Sequence, residues 1–172
     1  MTTMKAQSKT RSLIIHDTHN TLEPSVREAV APALSAAMAD CMDLYTQLKQ
    51  AHWNVKGPGF IALHELFDQI AGDVLGYVDE LAERLVVLGG QARGTARAVA
   101  ANSLLPEYPL DISDQNEHIA AVSKALAQFG DTVRKAIDTT DDAGDPDTAD
   151  LFTGISRAID KWLWFVESHA QR

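Results

Sequence analysis

The chain has 172 residues, 45% of them hydrophobic and only 6% aromatic, enough for one domain with a real core. Its formal net charge of −9 argues against a body that binds nucleic acid or anionic membrane and favours one that attracts cations. The single cysteine, Cys41, excludes an internal disulfide. With no leader-like segment and no apolar run long enough to span a bilayer, the sequence points to a reducing cytoplasm.

Residues 1–20 lack periodicity and read as a flexible basic tail, with Lys5, Lys9 and Arg11 preceding the first acid, Asp17. Such a tail is either a solubilising terminus or a phosphate-binding arm that an oligomer would multiply. The remainder, 21–172, reads as one all-α domain rich in alanine and leucine. The first helix is expected from Pro24 to about Val55, ended by Gly57-Pro58-Gly59. His52 falls in its last turn, close in space to the start of the next helix. Cys41 sits within this helical pattern as a small hydrophobe.

The second helix follows Gly59 and runs to Gly89-Gly90, with Leu63, Leu66, Phe67, Ile70, Val74, Tyr77, Val78, Leu81, Leu85 and Leu88 as its apolar stripe. Residues 91–112 form a long crossover containing a short helix at 95–102, kept extended later by Pro106 and Pro109. The third helix begins at Ser113 or Asp114, where Asp114 and Glu117 resemble a capping box. Residues 139–147 read as a turn, and Asp145-Pro146 opens the fourth helix. That helix carries Trp162, Trp164 and Phe165, more aromatics than one stripe accommodates, so part of its surface is expected to meet a neighbouring subunit. His118 and His169 have no evident metal partners. Four helices with one long crossover between the second and third is the ferritin-like bundle topology.

The second helix also constrains chemistry. With His64 at zero, Asp68, Asp79 and Glu83 fall at roughly 40°, 60° and 100° on the helical wheel, almost opposite a core stripe centred near about 265°. The same outward face carries Ile61, Gly72, Leu75 and Val86. From His64 to Glu83 is about 28 Å along the axis, whereas metal–ligand bonds are about 2 Å long, so one ion cannot use both ends. Either the two ends are unrelated, or each is completed by another element. In an antiparallel two-fold pair of these helices, His64 and Asp68 of one chain would face Asp79 and Glu83 of the other, crossing near Gly72 and Gly76.

The plain alternative is a solvated face with scattered carboxylates, since HxxxD alone is a weak signal. A zinc-protease reading fails because His64-Glu65-Leu66-Phe67-Asp68 ends in aspartate where HExxH needs histidine. The Glu-x-x-His motif of core-sited di-iron bundles is also absent. Taken singly, His52 is equally well a helix-terminal cation and Trp53 a core or interface aromatic.

Beyond the tail, nearly the whole chain resembles the Dps mini-ferritins (DNA-binding proteins from starved cells). The resemblance rests on His52-Trp53-Asn54-Val55-Lys56-Gly57-Pro58, His64-Glu65 with Asp68, and Asp79 with Ala82-Glu83-Arg84. It continues in Tyr108-Pro109-Leu110-Asp111-Ile112 and in Asp160-Lys161-Trp162-Leu163-Trp164-Phe165-Val166-Glu167. The resemblance implies a hollow dodecamer built from two-fold dimers, which oxidises Fe(II), preferably with hydrogen peroxide rather than oxygen, and stores ferric mineral. It implies ferroxidase centres holding two irons, with His52, His64 and Asp68 from one subunit and Asp79 and Glu83 from its partner. Trp53 is implied as a trap for stray oxidising equivalents. DNA binding through Lys5, Lys9 and Arg11 and a nucleoid association are further expectations. Asp131, Asp138 and Asp142 are candidates for an iron-entry pore, and Glu65, Asp73 and Glu80 for a mineral-nucleating stripe, with a plain solvated face as the alternative. Two other readings remain: a nucleoid-compacting protein whose metal site is secondary, and a cage that holds zinc or another cation without turnover.

Overall fold

The computed structural model describes residues 16–170. They form α1 (Pro24–Asn54), α2 (Phe60–Val87), α3 (Ala96–Asn102), α4 (Gln115–Asp142) and α5 (Pro146–Glu167). There is no strand among the described residues; one isolated parallel bridge joins Lys56 and Asp114. Two helical hairpins, α1–α2 and α4–α5, pack together chiefly through α1 and α4, and the short α3 lies on α1. This is the expected all-α bundle with a short extra helix in its crossover. No helix among the described residues is long and apolar enough to cross a membrane.

The stripe of α2 is the spine of the core. Leu63, Phe67, Ile70, Val74, Val78, Leu81, Leu85 and Leu88 are buried, and Leu66 and Tyr77 pack against them half-buried. Phe129 of α4 and Phe152 of α5 are fully buried with Phe67; each such side chain contributes about 1.5–3 kcal/mol of burial free energy. Cys41 is buried as expected, its thiol donating to the Val74 carbonyl at 3.4 Å. Burial pushes that thiol well above its ordinary pKa, which makes it inert.

The crossover is tied down by carboxylates that belong to α1. Asp40, 1% exposed, accepts from the Leu104 N–H at 2.7 Å and the Thr132 hydroxyl at 3.2 Å. Asp43 accepts from the Ser103 hydroxyl at 2.6 Å, and Gln47 donates to the Pro106 carbonyl at 3.0 Å. Burial raises the Asp40 pKa despite the opposing hydrogen bonds.

Two local expectations need correction. Asp114 caps α4, but its carboxylate accepts from Asn116 N–H at 2.8 Å rather than from the residue three positions on. The turn between α4 and α5 is also shorter than 139–147. The helix continues through Asp142, with the Thr139 and Thr140 hydroxyls bonding back to the Lys135 and Ala136 carbonyls, each at 2.8 Å. Gly144, at φ +91°, then reverses the chain. Of the expected tail, residues 16–20 are described: the His16 N–H donates to the Gly89 carbonyl at 2.6 Å, and His16 and His19 are exposed. Lys5, Lys9 and Arg11 lie outside the described residues.

Candidate functional site

The α1–α2 corner brings the two histidines together. Gly57, at φ +138°, turns the chain, and the corner rests on the start of α4: Lys56 N–H donates to the Ser113 carbonyl at 2.9 Å, and Gly59 N–H to the Gln115 side-chain oxygen at 2.7 Å. Across the hairpin the His52 and His64 rings stack, with centroids 3.7 Å apart and planes 20° from parallel. The contact is reciprocal. Nδ1 of His52 bonds the His64 carbonyl at 2.7 Å, and Nδ1 of His64 bonds the His52 carbonyl at 2.8 Å. A carbonyl oxygen only accepts, so each Nδ1 carries hydrogen, and the neutral form of each ring has its lone pair on Nε2. That is how a backbone carbonyl orients a histidine for metal ligation.

His52, His64, Asp68, Glu65, Gln69 and Ile61 line an open cleft of about 470 Å³. Asp68 is exposed and paired with the Lys49 ammonium. That hydrogen bond, followed by the ammonium's charge, holds the Asp68 carboxyl below its ordinary range. Lys49 also lies 5.7 Å from the centroid of the Trp53 ring. Lys49 was absent from the sequence-based set. Its signal was available: a hairpin that sets residue 52 against 64 sets residue 49, one helical turn earlier, against 68.

Asp79 and Glu83 stand at the far end of α2, both exposed. Glu83 borders a shallow cleft with Ala82, Val86, Val87 and Ala92. Behind it Arg84 turns inward, donating to the Asp145 carboxylate at 2.7 Å and the Thr148 hydroxyl at 2.8 Å. Between the two ends the outward face is open. Ile61, Leu75 and Val86 are 61%, 45% and 54% exposed. A Cβ built on Gly72 or Gly76 would meet nothing within 4 Å. Among the described residues, no three His, Cys, Asp or Glu side chains of one chain converge where a single ion could sit. The chain therefore presents two separated half-sets, a histidine-rich one and an acidic one.

The other candidates are dispersed. Trp53 is 67% exposed and lines a cavity of about 610 Å³ under the crossover. Asp131 pairs with Lys135 at 2.7 Å, one turn along α4, while Asp138 and Asp142 are exposed farther along it. In the stripe of Glu65, Asp73 and Glu80, Asp73 accepts the Trp162 indole N–H at 3.0 Å, so one of the three ties α5 to α2. His118, without an evident partner in the sequence, is buried and meets the Tyr108 hydroxyl at 2.6 Å. Trp162 is buried and Trp164 is exposed, as the excess of aromatics on α5 required.

Comparison with known proteins places this arrangement. The family model for the ferritin-like domain matches residues 31–172. The chain is 44% identical over 156 residues to the DNA protection during starvation protein of Agrobacterium fabrum, covering 91% of this chain and 96% of that protein. The structure of DpsA14 from Streptomyces coelicolor superposes with a TM-score of 0.88 at 31% identity, over 94% of this chain and 96% of that one. That of Dps from Microbacterium arborescens in the high iron form superposes with a TM-score of 0.82 at 31% identity, over 87% of this chain and 97% of that one. The chain belongs to the ferritin-like family and, within it, to the DNA protection during starvation (Dps) proteins.

Proposed function

We propose that the chain assembles through two-fold dimers into a hollow dodecamer, oxidises Fe(II) at centres shared between subunits, and stores the ferric product. His52, His64 and Asp68 supply one half of each centre, and Asp79 and Glu83 of the partner subunit supply the other. The reciprocal clamp of His52 and His64 carries this reading, because it fixes two imidazoles in the tautomer that leaves Nε2 free as a ligand. The outward α2 face supports the shared arrangement: its polar ends are separated by small and exposed apolar residues, and an antiparallel copy would bring unlike ends together. The Microbacterium relative, whose structure is described as the high iron form, supports iron as substrate. Two imidazoles with carboxylates suit iron; the same set also accepts zinc.

Two adjacent Fe(II) ions give two electrons to one peroxide, which with two protons becomes two waters, so no hydroxyl radical need be released. Asp68 must exchange the Lys49 ammonium for the incoming cation. Oxidation in this way removes both ingredients of radical chemistry near DNA, in a cytoplasmic setting. Stopped-flow oxidation of Fe(II) by the assembled cage tests the reading, with peroxide expected to outpace oxygen and to be consumed at about one per two irons from the electron balance. The double variant His52→Ala, His64→Ala should lose at least about 100-fold in rate, since even supporting groups of a metal site are worth about 10–100-fold. Fast oxidation by an intact double-variant cage would defeat the ligand assignment.

Direct DNA compaction is the second reading, favoured by Lys5, Lys9 and Arg11 ahead of an acidic body. Cages with and without residues 1–15 should differ in DNA mobility shift at low salt, the difference fading as salt rises. No shift by either removes this reading and leaves the oxidation chemistry untouched.

A further inference from the structure

We propose that Tyr108 and His118 form a proton-coupled electron donor that refills Trp53 after it has been oxidised. The inference rests on the ferroxidase reading for the source of the oxidant, which is hydroxyl radical escaping from incomplete peroxide reduction.

The pair is built for this and has no part in the ligand sets. Tyr108 is 7% exposed and His118 is 1% exposed. The phenol oxygen lies 2.6 Å from Nδ1 of the imidazole. The phenol has no other hydrogen-bond partner among the described residues; in the tautomer that carries the imidazole hydrogen on Nε2, its O–H donates to Nδ1. Nε2 is buried and closes no hydrogen bond of good geometry, although the Asn54 and Ile112 carbonyls act on the ring. A purely structural tie would not need a titratable ring there. Burial raises the Tyr108 pKa, so the phenol does not ionise ahead of oxidation and must give up its proton as the electron leaves. Burial lowers the His118 pKa, but the carbonyls of Asn54 and Ile112 and the carboxylates of Glu117 and Asp114 favour its charged form. The net shift is downward, so the ring holds the Tyr108 proton only while the phenoxyl radical persists and returns it as that radical is reduced.

Two observations link the pair to Trp53. Tyr108 and Trp53 line the same cavity of about 610 Å³. Asn54, whose carbonyl faces His118, directly follows Trp53. In the first step hydroxyl radical takes an electron and the N–H proton from the exposed Trp53 indole, leaving water and an indolyl radical. In the second, Tyr108 passes one electron to the indolyl radical, which takes a proton from solvent. The Tyr108 proton moves to His118 Nδ1, giving a phenoxyl radical beside an imidazolium. The unpaired electron has then moved from an exposed ring to a buried one, where a further Fe(II) ion or a thiol can quench it.

Pulse radiolysis of the iron-free cage with azide radical, which oxidises indoles, reads the second step without any iron chemistry. The expected result is decay of the indolyl absorption with growth of a phenoxyl band, slower in deuterated water. Tyr108→Phe should lose most of that phenoxyl yield. His118→Gln keeps a hydrogen-bond partner for the phenol but cannot take its proton; it should slow the growth at least about 100-fold, the low end for a positioned base. Undiminished phenoxyl in Tyr108→Phe assigns it to Tyr45 or Tyr77 and overturns the proposal. So does an unchanged rate in His118→Gln cages of normal helicity and size, or the absence of an isotope effect in the unmutated protein. A cage that passes these tests but fails to oxidise Fe(II) would reject the ferroxidase reading alone.

Discussion

The two ends of α2 carry candidate ligands in opposite states of preparation. At the His64 end both rings are locked by backbone carbonyls, their helices are pinned to α4, and the one carboxylate is held by an ammonium. At the Glu83 end the carboxylates stand exposed and make no hydrogen bond or ion pair among the described residues, while the backbone beneath them is anchored by Arg84. The difference teaches how a shared centre can be specified by one chain: the half that needs a defined tautomer and ring direction is preorganised, and the half that supplies only charge is left to a partner. Preorganisation matters because a ligand held in place before the ion arrives costs less ordering on binding.

Five substitutions sharpen that contrast. The largest effect is expected for Arg84→Met. It leaves Asp145, 1% exposed, as a buried carboxylate without its cation, and breaking such a pair costs about 3–5 kcal/mol. Chemical denaturation reads this loss, and a cost below about 1 kcal/mol would show that the acidic end has no anchor. Next come Asp79→Asn and Glu83→Gln, each expected to lower ferrous oxidation about 10–100-fold while moving monomer stability by no more than about 0.5 kcal/mol. Stability loss without loss of rate would reverse the roles of the two ends.

A smaller effect tests the support behind the histidine end. Burial lowers the His118 pKa, so below the ordinary histidine value of about 6.5 the unfolded chain binds a proton that the folded chain refuses. Stability should fall as pH drops from about 6.5 toward the folded value, and the slope should flatten in His118→Gln. Urea midpoints across that range decide it. The smallest effect is expected from Lys49→Met: the Lys49–Asp68 pair is more than half exposed on its acid side, so stability should change by less than about 1 kcal/mol. Binding of Co(II) as a ferrous stand-in, followed by titration calorimetry, should tighten a few-fold because Asp68 no longer has a competing cation. Unchanged affinity would mean that Lys49 does not compete.

Much of this was legible in the amino-acid order, for reasons that differ by element. The α2 stripe repeats through seven turns, so its buried face followed from period alone, and the closeness of His52 to His64 followed from a short glycine-proline corner. The end of α4 did not, because Thr139 and Thr140 read as turn formers until their hydroxyls are seen to return to carbonyls one turn back. Asp40 gave no signal either: a carboxylate between Ala39 and Cys41 is buried only because the crossover delivers the Leu104 N–H to it, and that pairing spans 64 residues. The His118–Tyr108 contact was hidden likewise, since one partner lies on the crossover and the other on α4. The outward half of the candidate centre was legible as a face and a distance, whereas the reciprocal clamp depends on ring placement that sequence spacing does not fix.

The footing of the α1–α2 corner on α4 has a dynamic consequence. The amides of Lys56 and Gly59 are satisfied by Ser113, just ahead of α4, and by Gln115, its first residue, and a side chain at Gly57 would strike Gln115 at 2.8 Å. The corner cannot fray by itself; it opens only when the beginning of α4 peels away as well. Slow deuterium uptake should therefore be matched at positions 56, 59 and 118, three reporters on two segments melting as a single cooperative unit.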